Sequence, residues 1–204
     1  MTDAQQSILD GVHDLARREY IMILSDECRE VLQRLFAEHS PKRVLEIGTA
    51  IGYSSSIMAL SSDCVIDTVE KDCERIAKAK QLWKSLGIVD KINAYTGDSE
   101  EILPKVTYGK TYDFIFIDAG KSAYKRQLEF LLPHLEVGGI ALCDDVLYLG
   151  LVKGDSYPPH KHRTIVRNMR EFLAYVENHP CLEMQLYEEG NGIALIKKIK
   201  SESK

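Results

Sequence analysis

Apolar side chains recur at helical spacing twice near the start of the chain: Ile8, Leu9, Val12 and Leu15 within residues 3–18, then Val31, Leu32, Leu35 and Phe36 within residues 25–39. Two opening helices are expected. From Arg43 the pattern changes to short runs rich in β-branched residues, Arg43 to Ile47, Cys64 to Val69, Ile92 to Tyr95, Phe114 to Ile117 and Ile140 to Cys143, parted by polar stretches of helical length. Such β-α alternation predicts an α/β protein with a mainly parallel sheet, helices on both faces and ligands outside the carboxyl ends of the strands. A last helical pattern, Arg163 to Asn178, stops at His179-Pro180. Two strand-like runs follow, Leu182 to Tyr187 and Ile193 to Ile199, around the turn Glu188 to Gly192, and predict a closing antiparallel hairpin. The stretch Lys200 to Lys204 reads as frayed.

At 204 residues the chain has room for one full-sized core, so a single domain is expected over 1–204, with helices in 1–40 and the sheet in 41–199. Hydrophobic residues at 45% and charged residues at 28% exclude disorder and low complexity. The residues from Met1 to Gln6 lack the layout of a signal peptide, and no apolar run approaches the roughly 18 residues of a membrane span, which reads as a cytoplasmic protein with no membrane partner. Five cysteines, an odd count without C-x-x-C spacing, indicate free thiols rather than disulfides or zinc. The net charge of −5 argues against an all-over nucleic-acid coat, leaving a local basic patch open.

Candidate chemistry lies in the strand-to-helix loops. VLEIGTAIGYSS, from Val44 to Ser55, runs from a strand through a glycine-bearing turn into a helix. Its glycines serve either packing or the close approach of a ligand. A pyrophosphate site wants G-x-G-x-x-G, whereas here the spacing is E-x-G-x-x-x-G with Thr49 in the place of the second glycine. S-adenosylmethionine has no phosphate, and its sulfonium, amino-acid tail and ribose suit the carboxylate of Glu46 and a turn poorer in glycine. Glu70 ends the second strand, 22 residues beyond Gly48, where an acid can accept from ribose hydroxyls. Asp98, before Ser99, can reach an adenine amino group or simply cap the next helix. Together these features resemble the cofactor half of the class I S-adenosylmethionine-dependent methyltransferases, a Rossmann-like fold. That resemblance places the cofactor on Glu46, Gly48, Thr49, Gly52, Ser54, Glu70, Asp98, Ser99 and Asp118.

Three acids end the next two strands: Asp118 in DFIFIDAGKSAY, and Asp144 with Asp145 in LCDDV. Each alone is consistent with a helix cap. Three like charges on one rim repel unless a cation is present, and a hard divalent ion such as Mg2+ answers that. The motifs D-A-x-K-x-x-Y and D-N-V-L, here Asp118 to Tyr124 and Asp144 to Leu147, resemble the divalent-metal-dependent O-methyltransferases of the catechol and caffeoyl-coenzyme-A type over essentially the whole chain. The resemblance implies that Asp118, Asp144 and Asp145 hold Mg2+, or Mn2+ or Ca2+, with Asp145 where the family usually has asparagine. It also implies a homodimer. Lys121, three residues past Asp118, is either a surface lysine or the base that takes the acceptor's proton, its pKa lowered by the cation and by burial.

The acceptor in this family offers two adjacent oxygens, as a catechol does and as 5-hydroxyuridine does. After the acids, residues 153–170 carry Lys153, Lys161, Arg163, Arg167 and Arg170 against one Asp, a window of +4 in a chain otherwise at −9. The three arginines fall at i, i+4 and i+7, opposite the apolar face of Ile165, Val166, Met169, Phe172 and Leu173. The stripe is either a solvated helix face or a phosphate-contacting rim. Its sequence and the EGNGIA turn resemble the bacterial tRNA 5-hydroxyuridine methyltransferases, which implies a tRNA anticodon stem-loop partner. A small catechol-like acceptor and a non-catalytic module that only binds the cofactor are the alternatives.

Overall fold

The computed structural model describes residues 1–154 and 158–201. Asp155, Ser156 and Tyr157 of the basic segment, and Glu202 to Lys204 of the stretch expected to fray, lie outside the described residues. The strands take the order β3-β2-β1-β4-β5-β7-β6 in one seven-stranded α/β sheet. The chain divides into two compact units, residues 1–108 and 109–204.

In the first unit, α1 (Asp3–Arg18) and α2 (Asp26–His39) precede β1 (Arg43–Ile47), α3 (Tyr53–Ser61), β2 (Val65–Glu70), α4 (Cys73–Leu86), β3 (Ile92–Thr96) and α5 (Ser99–Val106). Its strands pair in parallel, Val44 beside Ile66 and Ile66 beside Ile92. Four of the five helices start on a capping side chain: Thr2 forms a capping box with Gln5, and Ser25, Asp72 and Asp98 accept from the first turns of α2, α4 and α5. α3 is apolar enough to be buried from Tyr53 to Ala59. The Lys91 ammonium donates to the Ala59 and Ser62 carbonyls at its carboxyl end, 3.2 and 3.3 Å away, satisfying acceptors that the helix leaves open.

In the second unit, β4 (Tyr112–Ile117), α6 (Tyr124–Leu131), β5 (Leu135–Cys143), α7 (Arg163–Asn178), β6 (Leu182–Tyr187) and β7 (Ile193–Lys198) follow. β4 and β5 are parallel; β7 runs antiparallel to β5 and to β6, the expected hairpin. β5 begins five residues earlier than the apolar run predicted. Its start, Leu135 to Gly139, is mostly exposed and contains Gly138 at φ +87°, and the register against β4 shifts there, a bulge that a hydrophobic pattern does not reveal. α7 buries Val166, Met169, Phe172 and Val176, so its apolar face is the one the spacing predicts. The Lys198 ammonium is buried and donates to the Leu132 and Leu135 carbonyls at 2.6 and 2.8 Å. Cys28, Cys64, Cys143 and Cys181 are buried free thiols, and Cys73 is an exposed one. Among the described residues no helix is long and apolar enough to cross a membrane.

Candidate active site

The turn after β1 is held from below by a buried hydroxyl network. Glu46 is fully buried, and its carboxylate oxygens accept from Ser54 Oγ and Thr68 Oγ1, each at 2.5 Å. Thr49 Oγ1 lies 2.5 Å from Thr68 Oγ1. Glu46, Thr49 and Ser54 thus brace the turn through a β2 threonine, Thr68, that sequence reasoning passed over because only pairing of the two strands brings it near. Gly48 donates its N–H to the Val69 carbonyl, tying the turn to β2. Gly52 has φ +83°, and a Cβ there would lie 2.7 Å from Trp83 Nε1 and 2.8 Å from Ala79 Cβ. The glycine is required both by backbone and by packing.

Glu70, buried at the end of β2, accepts from the Ala50 N–H at 3.0 Å and from the Asp72 N–H at 3.1 Å. One carboxylate therefore fixes two loops at the carboxyl end of the strands. Asp98 is exposed and caps α5, accepting from the Glu100 N–H at 2.9 Å, with Ser99 as the first helical residue. The capping role weighed for Asp98 is the one the structure displays.

In the second unit Asp118 follows β4, and Asp144 and Asp145 follow β5. Lys121 Nζ sits 3.2 Å from Asp118 Oδ1, 3.1 Å from Asp145 Oδ2 and 3.2 Å from Tyr124 Oη. The buried Tyr124 hydroxyl donates to the Asp144 carbonyl at 3.0 Å, and its ring meets Phe172 of α7 edge-on at 5.7 Å. Asp144 Oδ1 accepts from the Asp145 N–H at 2.8 Å, and Asp145 holds φ +60°, a left-handed conformation that Asp and Asn adopt more readily than most residues.

The electrostatics follow from burial. Asp144 is raised to about 7, first by burial, then by the charges of Asp118 and Asp145. Asp118 is raised by burial against the opposing pull of Lys121. Burial pushes the Tyr124 and Cys143 groups up as well. For Lys121 burial pulls the pKa down, but Asp118 and Asp145 together more than offset that and raise it. As donors, three carboxylates suit Mg2+, Mn2+ or Ca2+, all of which prefer oxygen. In the present arrangement Lys121 lies between Asp118 and Asp145, Asp144 is turned to a backbone N–H, and no group of three His, Cys, Asp or Glu among the described residues is disposed around a metal position.

The basic residues divide into kinds. Arg170 donates from Nε to the Val152 carbonyl at 3.0 Å and from Nη2 to those of Leu151 and Gly154 at 3.4 and 2.8 Å. That commits its guanidinium to the loop after β5 and takes it out of the phosphate-contacting set expected from the spacing. Arg163 donates to the Pro158 carbonyl at 3.4 Å. Lys153 pairs with Glu188 at 2.5 Å and Arg167 with Glu171 at 3.8 Å, both solvent-accessible pairs. Lys161 is exposed.

The O-methyltransferase family profile matches residues 5–199, nearly the full length. The chain belongs to the O-methyltransferase family. It is 30% identical to the caffeoyl-CoA O-methyltransferase of Populus kitakamiensis, over 82% of this chain and 74% of that one. It is 29% identical to catechol O-methyltransferase B of Danio rerio, over 91% and 70%. The Bacillus cereus O-methyltransferase crystallised with SAH shares the fold, with a TM-score of 0.83 over 94% of this chain and 90% of that one, at 22% identity. This O-methyltransferase is accordingly an S-adenosylmethionine-dependent enzyme of the caffeoyl-CoA and catechol type.

Proposed function

We propose that this O-methyltransferase methylates a hydroxyl that has a second oxygen beside it, and that the acceptor is 5-hydroxyuridine in a tRNA anticodon stem-loop. The observation that carries the chemistry is the packing of Lys121 against Asp118, Asp145 and the Tyr124 hydroxyl in a mostly buried cluster. The donor's ribose is assigned to Glu70 and its adenine amino group to Asp98, with Gly48, Thr49 and Gly52 shaping the turn that receives it and Glu46 and Ser54 holding that turn from within.

In the reaction the acceptor oxygen forms a bond to the sulfonium methyl as the carbon–sulfur bond breaks, leaving a neutral thioether, and the hydroxyl proton passes to Nζ of Lys121 in its neutral form. Asp118, Asp144 and Asp145 are the residues that would hold a divalent cation, which supplies acidification of the acceptor hydroxyl. Lys121 is the group placed to take that proton, held beside Asp118 and Asp145 in a mostly buried cluster, and burial favours its neutral form. Tyr124 keeps Lys121 in place and anchors the backbone of Asp144.

Support for tRNA is the run of Lys161, just before α7, and Arg163 and Arg167 in its first turns, positive groups that follow the acid-bearing loop and suit phosphates. A small catechol-like acceptor is the second reading, favoured by the names of the plant and fish relatives and by the internal ties of Arg170 and Lys153. The test incubates the enzyme, S-adenosylmethionine and Mg2+ with hydroxyuridine-bearing tRNA and, separately, with catechol, and analyses the products by mass spectrometry. 5-Methoxyuridine is the expected product, and EDTA abolishes it. Methylated catechol with unmodified tRNA replaces the tRNA reading by the second one, and a full rate in EDTA removes the metal. Methylation of neither removes both acceptors.

A further inference from the structure

Directly after Asp145 the chain makes a loop that its own sequence does not favour. Tyr148, Leu149 and Gly150 hold φ of +39°, +57° and +71° in succession, and Leu149 is 61% exposed. For residues other than glycine this conformation costs roughly 1–2 kcal/mol each, and the loop's internal bonds, Leu151 N–H to the Tyr148 carbonyl at 3.0 Å and Val152 N–H to the Leu147 carbonyl at 3.3 Å, are joined by bonds from outside it. The Tyr148 hydroxyl meets His162 Nδ1 at 3.1 Å, and the ties to the loop's main chain come from two directions. On one side the turn between β6 and β7 accepts the Val146 and Leu147 N–H groups on the Gly192 and Asn191 carbonyls at 2.9 and 2.8 Å. Gly192 there packs so closely on Leu147 that a Cβ would overlap its side chain. On the other side stands Arg170, whose guanidinium reaches the carbonyls of Leu151, Val152 and Gly154.

A lysine cannot span those carbonyls, because its single ammonium lacks the planar fork that reaches several acceptors at once. Arg170 also differs from Arg167, which pairs with Glu171, and from Arg163, which reaches the Pro158 carbonyl. Its nitrogens face main-chain oxygens of the loop, the arrangement of a clamp. The same α7 carries Phe172 against the Tyr124 ring, and Tyr124 donates to the carbonyl of Asp144, so one helix supports the acid pair from its own side and the loop after it from the other.

We propose that Arg170 is a positioning residue: it fixes the loop from Leu147 to Gly154 in its left-handed form, and through that loop sets Asp145 and the acceptor's seat beside it. This rests on the reading of Asp144 and Asp145 as part of the acceptor site. The proposal concerns the loop's shape, and not a contact between Arg170 and the acceptor.

The experiment compares the full-length wild type with Arg170→Ala, Arg170→Lys and Arg170→Gln. Hydrogen exchange reads the amides of Leu147, Leu151 and Val152 against those of β4 and β7, and steady-state kinetics with the tRNA and catechol probes above read the acceptor KM separately from the S-adenosylmethionine KM. Expected in Arg170→Ala is exchange at the loop amides faster by about tenfold or more while β4 and β7 keep their protection. The acceptor KM rises by about tenfold for whichever probe the wild type uses, with the donor KM within about twofold. Arg170→Lys does not restore either value. Unchanged loop exchange in all three variants overturns the clamp, and so does full rescue by lysine. If β4 and β7 lose protection in Arg170→Ala, the milder Arg170→Lys and Arg170→Gln decide, with the same expected and overturning results. The exchange measurement needs no substrate, so it stands even where the wild type methylates neither probe, an outcome that defeats the proposed acceptors alone.

Discussion

At Gly52 the absence of one methyl group decides whether α3 can start where it does. Its φ of +83° disfavours any L side chain, and Trp83 and Ala79 occupy the space a Cβ needs. Gly52→Ala should destabilise the protein by roughly 2–4 kcal/mol, combining left-handed strain with overpacking, as measured by urea unfolding. Glu70 makes a different demand. Replacing it by Ala leaves the Ala50 and Asp72 N–H groups without their acceptor, so affinity for S-adenosylmethionine in a calorimeter should fall by roughly 1–3 kcal/mol. Unchanged affinity would take Glu70 out of the donor site. Asp145→Asn should keep the φ of +60° comfortably and retain an oxygen donor, so turnover should stay within about threefold of wild type. A variant that folds but is inactive would show that the third carboxylate itself is needed.

Among the elements, α7 does two jobs on two faces. Val166, Met169, Phe172 and Val176 were legible as its buried face because helical spacing depends only on the helix itself. The function of its arginines was less legible, since identical spacing describes a solvent-facing stripe and a clamp on a neighbouring loop. Only the fold brings the Leu151, Val152 and Gly154 carbonyls to Arg170. For Arg163 and Arg167 the phosphate reading predicts that each substitution by Ala lowers the salt slope of tRNA binding by about one unit, measured from 50 to 200 mM salt by filter binding. On a merely solvated face both variants would leave the slope where it was. Surface pairs such as Arg167 with Glu171 are worth little, so that pairing does not keep Arg167 from a phosphate. The early start of β5 was hidden for a related reason: Glu136, Val137, Gly138 and Gly139 carry no buried apolar pattern, and their strand pairing is a property of β4 as much as of their own sequence.

For the molecule as a whole, β-α alternation and the hairpin were readable because they depend on period and on turn residues, which lie within a few positions of one another. What escaped reading were contacts between residues far apart in sequence. Thr68 donating to Glu46, Tyr124 donating to the Asp144 carbonyl and the pairing of Lys121 with Asp145 all belong to that group. Strand order has a further consequence, for synthesis. β6 is made before β7, yet it lies at the outer edge of the sheet and among the described residues pairs with β7 alone, which in turn joins it to β5. While the ribosome is still adding residues up to Lys198, β6 has no strand partner and the far edge of β5 stays open. The second unit therefore completes its sheet after translation of its last strand, and through that interval its nascent chain offers the unpaired edges that chaperones shield.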